Sequence, residues 1–283
     1  MEHIASSVLA LVVGHIIGIA IGLTGIGGGA LVQPALIHLL GVPPVYAVGT
    51  GLLYAFVTRI FGTAAHFRLG TVHKRIGGWV LIGSVPGVLW SSRTINVLVE
   101  HYNPTRVHTF VQIAMGIVLL VTCVALLVER HFANRSGLQS SRRQQNVQPS
   151  ASGRVMGDST FSGKRKVLGI VMGFVIGVLV GATSIGGGVL IIPVLMLFFD
   201  AKPDHAVGTS IMISLVLAVL GGAVYLVEGH IVFRTALMMC IGSPLGVIMG
   251  SRWAVKLPDH VLRTVIFVVV AGSGISLFFG LPR

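Results

Sequence analysis

Two glycine triplets hold the clearest chemistry in this 283-residue chain: Gly27-Gly28-Gly29, followed by Ala30, and Gly186-Gly187-Gly188, followed by Val189. Each begins three residues after a threonine, Thr24 or Thr183, and ends five residues before a proline, Pro34 or Pro193. If a helix restarts at once after each triplet, its first N–H groups lack intrahelical partners and carry the positive end of the helix dipole. Such an end is suited to an anion, and glycine lets an oxyanion reach the backbone without meeting a Cβ. The plainer account is that small residues let membrane helices pack closely. For a single glycine that account wins; for a whole triplet duplicated with its threonine and proline, a binding site is the better reading. A nucleotide loop fits poorly, since no strand precedes the glycines and no Lys-Ser or Lys-Thr follows them.

Other side chains extend this candidate site. Arg59 sits inside the apolar run Tyr46 to Phe67, and no Asp or Glu lies within any apolar run to pair with it. A charge inside a membrane is costly and is by default a functional hypothesis. The guanidinium fork suits an oxyanion, although a snorkelling arginine accounts for the position about as well. Gln33 is placed to offer a polar contact. His15 is a candidate proton relay because histidine titrates near neutral pH, whereas His38 and His66 read as packing residues. Cys123 and Cys240 lie in apolar runs and suggest neither a disulfide framework nor a metal site, so no metal or cofactor is expected.

Elements that could position these groups are apolar and long. The chain is 54% hydrophobic and only 10% charged, with a mean hydropathy of +0.92, against about a quarter charged in soluble domains. Runs at Ile4 to Leu23, Tyr46 to Phe67, Ile76 to Trp90, Val107 to Val128, Val167 to Thr183, His205 to Val227, Thr235 to Trp253 and Val261 to Leu281 mostly approach the roughly 20 residues that span a bilayer. Two more, Gly29 to Leu40 and Gly188 to Phe199, have 12 residues each and are too short for simple crossing helices. The first run is read as a membrane helix rather than a secretory signal, because no basic region precedes it.

The chain is also a duplication at an offset of 159 residues. Ala47-Val48-Gly49-Thr50 returns as Ala206-Val207-Gly208-Thr209, Gly83-Ser84 as Gly242-Ser243, and Ser92-Arg93 as Ser251-Arg252. The expected organisation is therefore a first membrane repeat over 1–128, a flexible basic linker over 129–166 and a second membrane repeat over 167–283. The formal charge of +12 comes from 20 Lys and Arg gathered mainly in loops and linker, a membrane-orientation signal rather than a nucleic-acid one.

Loop charges then choose between two topologies. If the short segments complete crossings, each half has five and the repeats are inverted; if they re-enter, each half has four and the repeats are parallel. Leaving out the linker and Arg59, the inverted arrangement puts 7 Lys/Arg on one face and 4 on the other, the parallel one 5 and 6. Charge bias favours inversion. The expected fold is an all-α polytopic membrane protein of about ten segments, two of them short broken helices, with a cytoplasmic linker and both termini outside. Inverted repeats would bring the two triplets together near the midplane.

The duplicated Gly-x-Gly-Gly-Gly-x-Leu-x-x-Pro-x-Leu pattern, each copy followed by Ala-Val-Gly-Thr and later by a Gly-Ser stretch, resembles the TauE/SafE family of sulfite exporters and related permeases. The resemblance covers nearly all of the chain outside the linker. It implies a prokaryotic inner-membrane transporter of small sulfur-containing anions such as sulfite, sulfoacetate, organosulfonates or thiosulfate, and leaves the direction of transport open. The copies differ at one point, Thr24-Gly25-Ile26-Gly27 against Thr183-Ser184-Ile185-Gly186.

The function expected from these readings is secondary transport of an oxyanion held by Thr24, Gly27, Gly28, Gly29, Ala30, Gln33, Arg59, Thr183, Gly186, Gly187, Gly188 and Val189. A passive anion channel is the nearer alternative, because the same breaks could line a pore. An intramembrane enzyme is the more distant one: the sequence has no Gly-x-Ser-x-Gly elbow and no histidines at metal-ligand spacing. A homo-oligomer is compatible with the sequence.

Overall fold

The computed structural model describes residues 2–24, 29–68, 70–143, 163–185, 187, 188, 190–199, 201, 203–254, 268 and 271–277. Among them all regular structure is helical: α1 (Glu2–Thr24), α2 (Gly29–Pro34) running into a π-helical turn (Ala35–Leu39), α3 (Pro44–Arg68), α4 (Lys74–His101), α5 (Pro104–Arg143), α6 (Gly163–Thr183), α7 (Ile191–Phe199), α8 (Pro203–Val227) and α9 (Phe233–Ala254). Residues 271–277 are also helical. Among the described residues five stretches are long and apolar enough to cross a membrane, Pro44–Arg68, Pro104–Val124, Arg165–Thr183, His205–Val227 and Phe233–Gly250, and a shorter apolar stretch covers Ser6–Ile21.

The helix ends follow local chemistry. Helices α3, α5 and α8 open on prolines, whose missing N–H costs nothing in a first turn and whose φ is already helical. Helices α3 and α8 stop at equivalent glycines in the left-handed region, Gly70 (φ 67°) and Gly229 (φ 74°). Behind them Thr71 N–H donates to the His66 carbonyl (3.2 Å) and His230 N–H to the Tyr225 carbonyl (2.9 Å), closing both ends with the same 6→1 bond.

Packing repeats at the same 159-residue offset. The most extensive seams join α1 to α9 and α4 to α6, and α4 and α9 are repeat equivalents, as are α1 and α6. Both seams are built on glycines four residues apart, Gly14 and Gly18 against Gly242, Gly246 and Gly250, and Gly83 and Gly87 against Gly173, Gly177 and Gly181. A methyl group on Gly14 would lie 2.5 Å from the Met239 carbonyl oxygen, and one on Gly83 would overlap that of Ile170. Backbones approach this closely only where small residues recur every helical turn. In both seams the helices run parallel, since Gly14 meets Met239 and Gly18 meets Ser243, while Gly83 meets Ile170 and Gly87 meets Phe174.

At the centre α3 lies along α8, and these two run antiparallel: Leu52 packs on Gly221 and Gly222, whereas Ile211 packs on Gly62. A matched pair of hydrogen bonds ties the ends of this central pair to the seams. Val232 N–H donates to Thr50 Oγ1 (3.0 Å) and His73 N–H to Thr209 Oγ1 (2.9 Å). Both threonines close the Ala-Val-Gly-Thr motif, which thus holds the loops entering α9 and α4.

Two stretches depart from the sequence expectation. Helix α5 continues through residues 129–143 and α6 already begins at Gly163, so both ends of the segment read as a flexible linker are helical. Residues 129–143 hold no proline and a single glycine, Gly137, so a helix already nucleated in the apolar span loses little by propagating. Residues 144–162 lie outside the described residues.

Candidate functional site

The second break is held in place by its own backbone and a threonine. Helix α6 ends at Thr183, whose hydroxyl donates to the Leu179 carbonyl (2.6 Å) and accepts from the Ile185 N–H (3.2 Å). The Thr183 proton is thereby spent on the helix end. Ser184 follows with φ 58°, a left-handed conformation that costs an L-residue roughly 1–2 kcal/mol. Its counterpart in the first repeat is Gly25, for which such a conformation is free. Ile185 then buries its side chain completely, Gly187 and Gly188 form a turn, and α7 begins at Ile191. Pro193 falls in the first turn of α7, between an Ile192 N–H that reaches the Gly188 carbonyl (3.2 Å) and a Val194 N–H that reaches the Leu190 carbonyl (3.5 Å), so it leaves a gap of one bond in a ladder that has already begun.

In the first repeat residues 25–28 lie outside the described residues, and the helix that follows them differs from α7. Pro34 stands inside its helix and is followed by the π turn, in which Leu40 N–H reaches back five residues to the Ala35 carbonyl (3.1 Å). Proline cannot donate to the ladder, and a local widening to i→i−5 bonding is one way a helix absorbs that loss. Gln33, just before it, is fully buried.

The two breaks meet. A methyl group on Gly29 would lie 2.9 Å from the Ser184 carbonyl oxygen and 3.6 Å from Ile185 Cα, so the start of α2 abuts the end of α6. On the other side, a methyl group on Gly187 would lie 2.8 Å from the Ser214 hydroxyl and 3.2 Å from Arg59 Nη1. Arg59 therefore crosses from α3 to the second triplet, where its Nη1 also lies 3.5 Å from the Ser214 carbonyl oxygen. Around this junction the Gln33 amide and the Ser184 and Ser214 hydroxyls are buried and have no hydrogen-bond partner among the described residues. Burying such groups unpaired is costly. Ser214 lies beside Arg59, and Gln33 and Ser184 lie beside Gly51, which makes the junction a candidate place for a polar ligand.

Of the residues singled out by sequence, the structure brings Gly29, Gln33, Arg59, Thr183, Gly187 and Gly188 to this junction. Gly27, Gly28, Gly186 and Val189 lie outside the described residues, and so do the side chains of Thr24 and Ala30. His15 is elsewhere: its Nδ1 lies 3.2 Å from the Gly242 carbonyl oxygen in the α1–α9 seam. His66 bonds Thr71 Oγ1 (2.8 Å) at the end of α3, and His38 is exposed in the π turn. Sequence reasoning missed Ser184 and Ser214. Ser214 reads as one more small residue in an apolar run, but the exchange of Gly25 for Ser184 was a visible signal.

Among the described residues no group of three His, Cys, Asp or Glu side chains is placed to hold a metal ion. A family model described as "Sulfite exporter TauE/SafE" matches residues 10–277. Among curated proteins the chain is 31% identical to the probable membrane transporter protein YjnA of Bacillus subtilis, over 96% of this chain and 99% of that one. It is 26% identical to YdhB of the same organism, over 96% and 100% of the two chains. It is 25% identical to the probable membrane transporter protein MJ0441 of Methanocaldococcus jannaschii, over 95% and 94%. No solved structure matches.

Proposed function

The chain belongs to the TauE/SafE family and is a multi-pass membrane transporter, and from that premise we propose that it is a secondary transporter of a small sulfur-containing oxyanion bound between the two helix breaks. The observation that carries this reading is Arg59 Nη1 beside Gly187 and Ser214. An oxyanion there would neutralise the arginine and give the unpaired Ser214 hydroxyl an acceptor, with donors from the glycine backbone. The sulfur chemistry of the ligand comes from the family description; the geometry asks only for a compact anion.

Inverted repeats fit the same contacts. Helices α3 and α8 are repeat equivalents, and helices related by a two-fold axis run antiparallel only when the axis crosses them. The register between Leu52 and Gly221 and between Gly62 and Ile211 sets Val57 opposite its own counterpart, Val216, near the middle of both helices. Gln112 Nε2, which donates to the Leu277 carbonyl (2.9 Å), and Leu119, packed on Gly274, give α5 and residues 271–277 the same opposed sense. An axis through the centre of α3 lies in the membrane plane and places Arg59 about two residues, or ~3 Å of helix rise, from the midplane. On this reading the chain has ten segments in a prokaryotic plasma membrane, with the loop after α3 and the linker in the cytoplasm and both termini outside, as the loop charges favour.

The test is flux into liposomes holding the purified protein, with sulfite, sulfate, thiosulfate, sulfoacetate and acetate as solutes. Saturable, mutually competing flux of a sulfur oxyanion is expected, and Gly187→Leu, which fills the space next to Arg59, should abolish it while the protein still reaches the membrane. Undiminished flux in that variant would exclude a site at the breaks. Unsaturable flux at channel rates would replace the carrier by a pore.

A further inference from the structure

The side chains at the junction fall into two sets, separated along α3. Arg59 and Ser214 meet at Gly187. Gln33 and Ser184 meet at Gly51: a methyl group there would overlap Gln33 Nε2 and lie 3.1 Å from Ser184 Oγ. Gly51 and Arg59 are two helical turns apart, ~12 Å along the axis, and a helical side chain leans back toward the N-terminus. The guanidinium thus reaches toward Gly51 without arriving there.

The sets differ in chemistry. Arginine offers donors and a positive charge; Gln33 and Ser184 are uncharged, and each can both donate and accept. Neither Gln33 nor Ser184 is required by the fold, because the other repeat has Ile192 and Gly25 at the equivalent positions. Both are at most 2% exposed and unpartnered among the described residues, and Ser184 also holds a left-handed backbone that glycine would adopt without strain. Unfavourable features gathered at one point and absent from its twin indicate function rather than packing.

We propose that Gln33 and Ser184, across the bare face of Gly51, form a second and uncharged pole of the substrate site, which hydrogen-bonds a hydroxyl or amide group on the transported anion, and that Ser184 sets this preference. The proposal rests on the anion reading above, with the charged head at Arg59. The favoured substrate is then a small organic oxyanion carrying a neutral polar group a few bonds from its acid group.

The experiment compares 2-hydroxyethanesulfonate with ethanesulfonate, which share a head and differ by one hydroxyl, in binding to detergent-solubilised full-length protein. The wild type should bind the hydroxylated anion about tenfold more tightly, the worth of one hydrogen bond. Ser184→Gly should bring the ratio to about one while melting at or above the wild-type temperature, since it relieves the backbone and removes a buried hydroxyl. Equal affinities in the wild type, or a preference that survives Ser184→Gly, would overturn the second pole. Arg59→Gln separates the two ideas: if the anion reading holds, it weakens both sulfonates together. Unchanged affinity for both in that variant would mean that the charged head is not at Arg59, and the proposal would fall with it.

Discussion

The two helix breaks occupy equivalent positions in a duplicated chain, and the residues described around them differ. The first has a proline within its helix, a π turn behind it and a buried glutamine. The second has a serine in a left-handed conformation, a threonine spent on the helix end and a proline in the first turn of α7. Backbone interruption is common to both, while the polar side chains are divided. Gln33 and Arg59 come from the first half, where the second has Ile192 and Ala218; Ser184 and Ser214 come from the second, where the first has Gly25 and Ala55. Duplication supplied the paired breaks, and divergence left one set of polar side chains between them rather than two.

The largest expected effect follows from that division. Arg59→Ala should weaken anion affinity by about ten- to a hundredfold, the range for a hydrogen bond to a charged group, with little loss of protein from the membrane. Ala218→Arg, which puts the charge on the equivalent position of α8, should not restore it, because Ser214 and Gly187 are furnished on one side only. Binding isotherms on the single and double variants decide the matter. Restoration by Ala218→Arg would show two interchangeable half-sites and abolish the asymmetry.

Much of the architecture was legible in the sequence because it depends on local signals: apolar length, prolines that open helices, glycines that close them and an exact repeat. The short segments were also legible, as 12 residues cannot cross a bilayer as one simple helix. Tertiary information was not. Ser214 became a candidate only when α8 was laid against α3, and the seam glycines were lost among 38 glycines until their backbone contacts were known. The Ala-Val-Gly-Thr motif marked the repeat in sequence, but its purpose, a threonine accepting from the loop that enters a helix of the other half, required the pairing of distant segments. Helix α5 outran its apolar stretch because polarity governs where a chain is immersed, whereas propensity and nucleation govern where it stays helical.

The threonine pair is the part of the molecule in which the halves should behave alike. Thr50→Val and Thr209→Val each remove one acceptor from a buried or half-buried N–H, that of Val232 and of His73. Each should lower stability by about 1 kcal/mol, as the loss of a single cap does, and the two melting shifts should agree within error. A shift confined to one variant would mean that the central pair α3 and α8 is clamped at one end only, a mechanical asymmetry to match the chemical one.

The smallest expected effect, a dependence on pH, comes from the same two loops. Burial holds His73 below the ordinary histidine range, and the nearby His205 and Arg75 push it the same way, against a backbone hydrogen bond that opposes them. Burial also lowers His230, while the carboxylates of Glu228 and Glu100 draw it back up. A histidine titrating lower in the folded chain than in the unfolded one, where its pKa is about 6.5, leaves the unfolded chain binding more protons over the interval between. Stability is then complete above about pH 6.5 and falls as acid carries the solution down through that value toward the folded pKa. The His73 ring should contribute more of this loss, because His205 and Arg75 push it down while Glu228 and Glu100 hold His230 up, and because its Nδ1 accepts from the Ile76 N–H (3.5 Å) at the start of α4, a role that protonation ends. Melting curves between pH 7.5 and 5 should therefore show a fall that His73→Asn reduces, since asparagine keeps an acceptor at the helix start without titrating, and that His230→Asn reduces less. A fall unchanged by both substitutions would place the acid sensitivity outside the loops and remove this last distinction between the halves.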